Sequence, residues 1–178
     1  EALEVNKNEA NACTLSTVSS DNKPASRIVL LKDLSESGFV FFTNYTSKKS
    51  IDIQNNPHVA INFYWPELER QVRVEGKAKK IDPNASDNYF KSRPRESQLG
   101  AWLSDQSALL DLDYDFSPSL SKLEDKFQGK EVTRPQNWGG FCVQPQTIEF
   151  WQGRPMRFHD RLLYEFFSKE WHKKRLAP

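Results

Sequence analysis

Arg154-Pro155-Met156-Arg157-Phe158-His159-Asp160-Arg161 puts three guanidiniums and an imidazole within eight residues, just after the run Ile148-Glu149-Phe150-Trp151. Successive side chains of a strand point to opposite faces. Read as a strand from Arg157 to Tyr164, the segment lines up Arg157, His159 and Arg161 on one face. Such a face makes a poor core and a good anion clamp. Trp151, close by, is by default a core aromatic.

Other basic groups recur along the chain. Arg27 and Lys32 bracket Ile28-Val29-Leu30-Leu31, and their odd spacing points them to opposite faces. They read equally well as strand-end charges that snorkel. Ser47-Lys48-Lys49 stands at the start of a predicted helix, where cations oppose the helix dipole unless an anion binds at the same end. A solvated lysine pair is the plainer alternative. Tyr89, Arg93 and Ser97 are spaced by four, but Pro94 interrupts any continuous helix. Arg93 is therefore placed at the N-cap of the helix that Pro94 begins, where a guanidinium, a hydroxyl and a positive helix end can hold a phosphate. A satisfied helix cap explains the same residues. Gln106-Ser107 is a polar pair beyond that helix. Taken together the groups describe two anion sites, one at Arg27, Lys48 and Lys49 and one at Tyr89, Arg93 and Ser97. Two phosphorylated aromatic ligands, a cofactor and a substrate, fit that pattern.

Composition narrows the chemistry. The 178 residues suit one domain with a sizeable core. With 25 Lys+Arg against 24 Asp+Glu the net charge is +1, which argues against bulk electrostatic binding of nucleic acid or a membrane. The longest aliphatic run, Ile28 to Leu31, is too short to span a bilayer, and no signal-peptide pattern opens the chain. Cys13 and Cys142 are isolated and read as reduced thiols, so a cytoplasmic location is expected. No Gly-x-Gly-x-x-Gly, Walker lysine loop or Gly-x-Ser-x-Gly elbow is present. His58, His159 and His172 lack zinc-site spacing, so no metal is expected. The first residue is not Met, which points to a trimmed form of a longer chain.

The elements that must position these groups are mostly strands. They are expected at 13–19, 27–32, 38–43, 59–65, 69–81, 140–149, 157–164 and 171–176, with turns at 20–24 and 33–37. In 69–81 the residues Val72, Val74, Gly76 and Ala78 form the apolar face. Helices are expected at 47–55 with Ser47 as N-cap, at 83–92 after Asp82, from Pro94 to about Leu103, and at 117–127; 111–116 and 128–137 read as loops. The fold class is mainly antiparallel β with α decoration (α+β), an antiparallel barrel with helices added.

The order of the motifs is more specific than any one of them. Arg-Ile-Val-Leu-Leu-Lys (27–32), Phe-Phe-Thr-Asn (41–44), Ser-Lys-Lys (47–49), Arg-Gln-Val-Arg-Val-Glu-Gly (70–76), Tyr-Phe-Lys-Ser-Arg-Pro-Arg-Glu-Ser-Gln-Leu-Gly-Ala-Trp (89–102), Trp-Gly-Gly-Phe (138–141), Ile-Glu-Phe-Trp-Gln-Gly (148–153), Arg-Phe-His-Asp-Arg (157–161) and Arg-Leu-Ala-Pro (175–178) run in order from about residue 11 to the end. Together they resemble the pyridoxamine 5′-phosphate oxidase family.

The resemblance implies one FMN-binding split-barrel domain over 1–178, a homodimer with FMN at the interface, and oxidation of pyridoxamine or pyridoxine 5′-phosphate to pyridoxal 5′-phosphate. The electrons would pass to O2, giving hydrogen peroxide. By motif, FMN would be contacted by Arg27, Ile28, Val29, Leu30, Leu31, Lys32, Phe42, Thr43, Lys48, Lys49, Gln71, Gln106, Ser107, Trp151 and Arg161. Lys32, Tyr89, Arg93 and Ser97 would hold the substrate phosphate. Arg157, Phe158 and His159 would lie against the substrate, with Arg157 and His159 catalytic and assisting deprotonation at its reacting end. Two departures stand out. Lys48 replaces the family's arginine, keeping the charge and losing the bidentate fork. The family's N-terminal segment, which can cover the substrate, is expected to be missing. Segments 110–116 and 165–174 match loosely and read as variable loops. Flavin oxidation of a phenazine precursor on the same fold, and a non-catalytic pyridoxal phosphate or flavin carrier, remain as alternatives at this point.

Overall fold

A computed structural model describes residues 1–5 and 9–178. After the one-turn helix α1 (Ala2–Val5) come β1 (Ala12–Val18), β2 (Pro24–Leu30), β3 (Asp33–Ser35), β4 (Gly38–Asn44), α2 (Lys48–Asn55), β5 (His58–Trp65) and β6 (Arg70–Lys80). The rest of the chain gives α3 (Pro83–Ser92), α4 (Arg95–Leu103), α5 (Ser117–Phe127), β7 (Trp138–Gln152), β8 (Asp160–Phe167) and β9 (Glu170–Arg175). The strands run in the order β2-β1-β5-β6-β7-β4-β3, with β8 on β7 and β9 on β8. Every pairing with a described register is antiparallel. Contacts divide the chain into two compact units. One comprises 1–41, 52–79 and 142–178, and the other 42–51 and 80–141.

The first unit is built by period-two patterning. Cys13, Leu15 and Thr17 of β1, Val59, Ile61 and Phe63 of β5, and Val74, Gly76 and Ala78 of β6 are all buried, while Arg73, Glu75, Lys77 and Lys79 are exposed. Apolar positions on one pleat face explain that alternation, and a one-residue slip would invert it. Gly38 opens β4 with φ +127°, and a Cβ there would run into the Val143 carbonyl oxygen, so both backbone conformation and close approach demand glycine.

The second unit is mainly helical. Phe90, Leu99, Phe127, Val132 and Trp138 form its core, with Phe42, Tyr89, Ala101, Trp102, Leu120 and Leu123 packed around them. Asp82 caps α3 by accepting the Asn84 N–H at 2.8 Å, and Pro83 occupies the first turn. The helix stops at Ser92 because Arg93, preceding Pro94, takes an extended conformation (φ −75°, ψ 148°). The Gln98 amide then donates to the Phe90 carbonyl at 2.9 Å and closes the α3–α4 junction.

Four expectations are corrected. The strand expected from Arg157 begins at Asp160, because Pro155–Arg157 form a 3-10 turn in which Met156 and Arg157 have φ of 58° and 62°. Arg157, His159 and Arg161 therefore do not line one strand face. The second strand starts earlier, at Pro24, and ends at Leu30, so Leu31 and Lys32 lie beyond it. The stretch expected as a turn at 33–37 contains β3, which pairs with Gly38–Val40. Arg93 is the C-cap of α3, and Pro94 takes the N-cap position of α4.

Candidate active site

In the second unit a buried lysine gathers residues distant in sequence. Lys49, in the first turn of α2, donates to Gln106 Oε1 (2.9 Å), Thr43 Oγ1 (3.1 Å) and Ser47 Oγ (3.2 Å). Thr43 also donates to Gln106 Oε1 at 3.0 Å. Gln106 reaches this place because the Asn44 amide donates to the Ser104 carbonyl and the Thr46 hydroxyl to Asp105. Ser107 follows with φ 76°, an unusual conformation for a non-glycine residue and one that tends to accompany function. Lys48 is exposed beside Lys49. The three N–H groups of the ammonium and the Thr43 hydroxyl proton are thus spent within the cluster, which offers an anionic ligand a buried positive charge, with the Gln106 NH2 as a donor.

A second group in the same unit surrounds Arg93. Tyr89 stacks on Phe42 at 3.8 Å, and Phe42 stacks on Trp138 at 5.4 Å. The Arg93 guanidinium lies 4.6 Å from the Trp138 ring centroid. Its Nη1 is buried and has no hydrogen-bond partner among the described residues. Burial lowers the Arg93 pKa and raises that of Tyr89, and each side chain partly offsets the other's shift. An orphaned buried donor on a permanent cation is costly unless a ligand completes it. Ser97, half-buried, lies in the first turn of α4.

In the first unit β7 and β8 carry the third group. Trp151 is paired in register with Arg161. The Arg161 fork meets Glu149 through Nε (2.7 Å) and Nη2 (3.1 Å), and Arg73 Nη1 approaches the same carboxylate at 3.4 Å. The hydrogen bond from Arg161 holds the Glu149 carboxyl below its usual range, against the opposing effect of burial and with help from the Arg73 charge. The His159 ring lies 4.7 Å from that of Trp151, and His159 Nδ1 accepts the Arg154 backbone N–H at 3.2 Å. The neutral imidazole accordingly carries its proton on Nε2. Arg157 and Phe158 are exposed on the strained turn.

Arg27 is engaged within the first unit. Its Nη1 donates to Thr17 Oγ1 (2.7 Å) and to the carbonyls of Ala25 (3.0 Å) and Leu15 (3.3 Å), and Nη2 lies 3.9 Å from buried Asp52. Burial lowers its pKa, with Asp52 opposing the shift. Ile28 and Leu30 are exposed, Val29, Leu31 and Gln71 half-buried, and Lys32 exposed. The structure thus gathers Thr43, Lys49 and Gln106 in one cluster, Phe42, Tyr89 and Arg93 in another, and Trp151, His159 and Arg161 in a third. Glu149, Arg73 and Asp52 were missed. Glu149 did leave a signal, a lone carboxylate in an apolar run.

The Glu149–Arg161 pair makes a pH prediction. A carboxyl whose folded pKa is depressed adds stability that is complete above its unfolded value, near 4.5, and is lost as pH falls through the folded value. Urea unfolding from about pH 7 to about pH 3 is expected to show wild type losing stability on acidification, with a shallower loss in Glu149→Gln. Equal slopes would contradict the ionised pair.

The architecture is that of the FMN-binding split barrels. A protein from Nostoc punctiforme described as pyridoxamine 5′-phosphate oxidase-related and FMN binding superposes with TM-score 0.81 at 19% identity, covering 99% of this chain and 94% of its own. PhzG from Burkholderia lata, solved with tetrahydrophenazine-1-carboxylic acid, superposes with TM-score 0.91 at 25% identity over 99% of this chain and 87% of its own. Residues 1–129 match the family model for pyridoxamine 5′-phosphate oxidase, and 138–178 match the pyridoxine 5′-phosphate oxidase C-terminal dimerisation region. The pyridoxine/pyridoxamine 5′-phosphate oxidase of Gloeothece citriformis is 51% identical over all of this chain and 84% of its own length, and that of Haemophilus influenzae is 49% identical over the same shares. The chain belongs to the pyridoxamine 5′-phosphate oxidase family.

Proposed function

We propose that this chain oxidises pyridoxamine 5′-phosphate and pyridoxine 5′-phosphate to pyridoxal 5′-phosphate as a cytoplasmic homodimer, with residues 1–178 forming one FMN-binding domain. Among the described residues no helix is long and apolar enough to cross a membrane. The observation that carries the substrate assignment is the buried, unpartnered Nη1 of Arg93 beside Tyr89. It is a prepaid site for one phosphate oxygen, in a chain about half identical to named oxidases of that substrate. Identity with PhzG is only 25%, which favours the vitamin over a phenazine precursor.

The residues present fit FMN. The buried positive charge of Lys49, ordered by its bonds to Thr43, Ser47 and Gln106, and the charge of Lys48 at the helix start suit its phosphate, and the Gln106 and Ser107 polar groups can meet its polar ring edge. Arg27 to Lys32, Phe42, Gln71, Trp151 and Arg161 complete the proposed set. FMN, when bound, supplies the two-electron acceptor that returns its electrons to O2. Lys32, Tyr89, Arg93 and Ser97 anchor the substrate phosphate, and that remote binding energy fixes the reacting carbon. His159 presents Nε2–H, because Nδ1 already accepts from Arg154. It can therefore orient the 4′ amine or hydroxyl as a donor, at the reacting end where His159 and Arg157 are proposed to assist deprotonation. Arg157 is a second donor on the same turn.

The amine substrate consumes one O2 and one water and releases ammonia, hydrogen peroxide and pyridoxal phosphate; the alcohol needs no water. The FMN-loaded protein is expected to release one peroxide per pyridoxal phosphate formed. FMN binding without peroxide release would leave a carrier, and the enzymatic reading would fall.

A further inference from the structure

Glu149 is 8% exposed and lies in an otherwise apolar run of β7. A carboxylate there is costly unless paired, and apolar residues in place of the whole ion pair would serve folding at least as well. Its pairing is specific. Both oxygens meet the Nε/Nη2 side of Arg161, and Oε2 also receives Arg73 Nη1. Arg161 Nη1 donates to the Ala177 carbonyl at 3.1 Å. A guanidinium has five N–H groups. Three are spent on Glu149 and Ala177, which leaves one N–H on each of Nη1 and Nη2 without a partner among the described residues. Two cations against one carboxylate also leave a net positive charge at this place.

We propose that Glu149 is a positioning residue for FMN binding: its carboxylate fixes the plane of the Arg161 guanidinium, so that the two remaining N–H groups are presented to a flavin acceptor. The proposal rests on the reading that Arg161 contacts FMN. Arg73 assists by sharing the carboxylate, which keeps Glu149 ionised next to a cation that must remain charged. An exposed ion pair would do little of this, because water and side-chain entropy would loosen it.

The test is FMN titration of the FMN-depleted protein, read by quenching of flavin fluorescence. Glu149→Gln preserves size and removes the charge. It is expected to weaken FMN binding roughly tenfold, the loss typical of one mis-set charge-assisted hydrogen bond. In an Arg161→Ala background the same substitution is expected to change the Kd less than about twofold, because its effect runs through Arg161. Glu149→Asp keeps the charge on a shorter arm and is expected to fall between wild type and Glu149→Gln, and it serves as the test variant should Glu149→Gln fail to fold. If Arg161→Ala itself leaves the Kd unchanged, the FMN role of Arg161 is wrong. If Arg161→Ala weakens binding but the Glu149 variants match wild type, the positioning proposal is overturned. Equal losses from Glu149→Gln with and without Arg161 would make Glu149 a structural residue only.

Discussion

Arg93→Ala is expected to lower kcat/KM for pyridoxamine 5′-phosphate about 10²–10³-fold in a peroxide-release assay, while FMN affinity stays within about twofold. Charge-assisted hydrogen bonds are worth about 1.5–3 kcal/mol each, and losing two at the lower end of that range, about 3–4 kcal/mol, gives a loss of that order. The buried Nη1 of Arg93 is already desolvated, so the guanidinium side of the bond adds no further desolvation cost when substrate binds. Because the phosphate is remote from the reacting carbon, part of the loss is expected in kcat and part in KM. Arg93→Lys keeps the charge but gives up the fork and the planar contact with Trp138, and it is expected to recover only part of the activity. A wild-type kcat/KM in Arg93→Ala would remove the phosphate site from this residue.

Lys49→Met should give a folded protein with FMN affinity reduced about 10²-fold, measured by flavin fluorescence quenching. Methionine fills most of the volume of the buried stem and carries no charge. Thr43, Ser47 and Gln106 lose their shared donor, so the polar cluster loosens together with the anion site. Burial shields the ammonium from salt, and the difference between wild type and variant is expected to persist at about 0.5 M salt. If the affinity is unchanged, Lys49 only ties α2 to the loop after α4.

Local patterning made most of the fold legible. The alternation of Val59, Ile61 and Phe63, and of Val72, Val74 and Gly76, placed two central strands and the correct inward face of each. Asp82-Pro83 and Arg93-Pro94 bounded α3 because proline chemistry acts on adjacent residues. The strand through Arg157 failed for the opposite reason. Met156 and Arg157 adopt left-handed conformations that glycine would have signalled and these residues do not. The same limit applies at the candidate site. Thr43, Lys49, Tyr89 and Arg93 could be singled out by residue type and motif order. The links from Lys49 to Gln106 and from Arg73 to Glu149 join residues 57 and 76 positions apart, and no local rule reports such contacts. Arg27, read as part of an anion site, is held by Thr17 and lies near Asp52, partners that sequence spacing does not disclose.

Mixing the FMN-loaded protein with pyridoxamine 5′-phosphate in the absence of oxygen, while following the visible flavin absorbance, separates an oxidase of this substrate from a carrier. The absorbance is expected to bleach in a single substrate-dependent phase and to return when O2 is admitted, with pyridoxal phosphate formed in an amount equal to the flavin bleached. Flavin that stays oxidised at saturating substrate would contradict the oxidase reading.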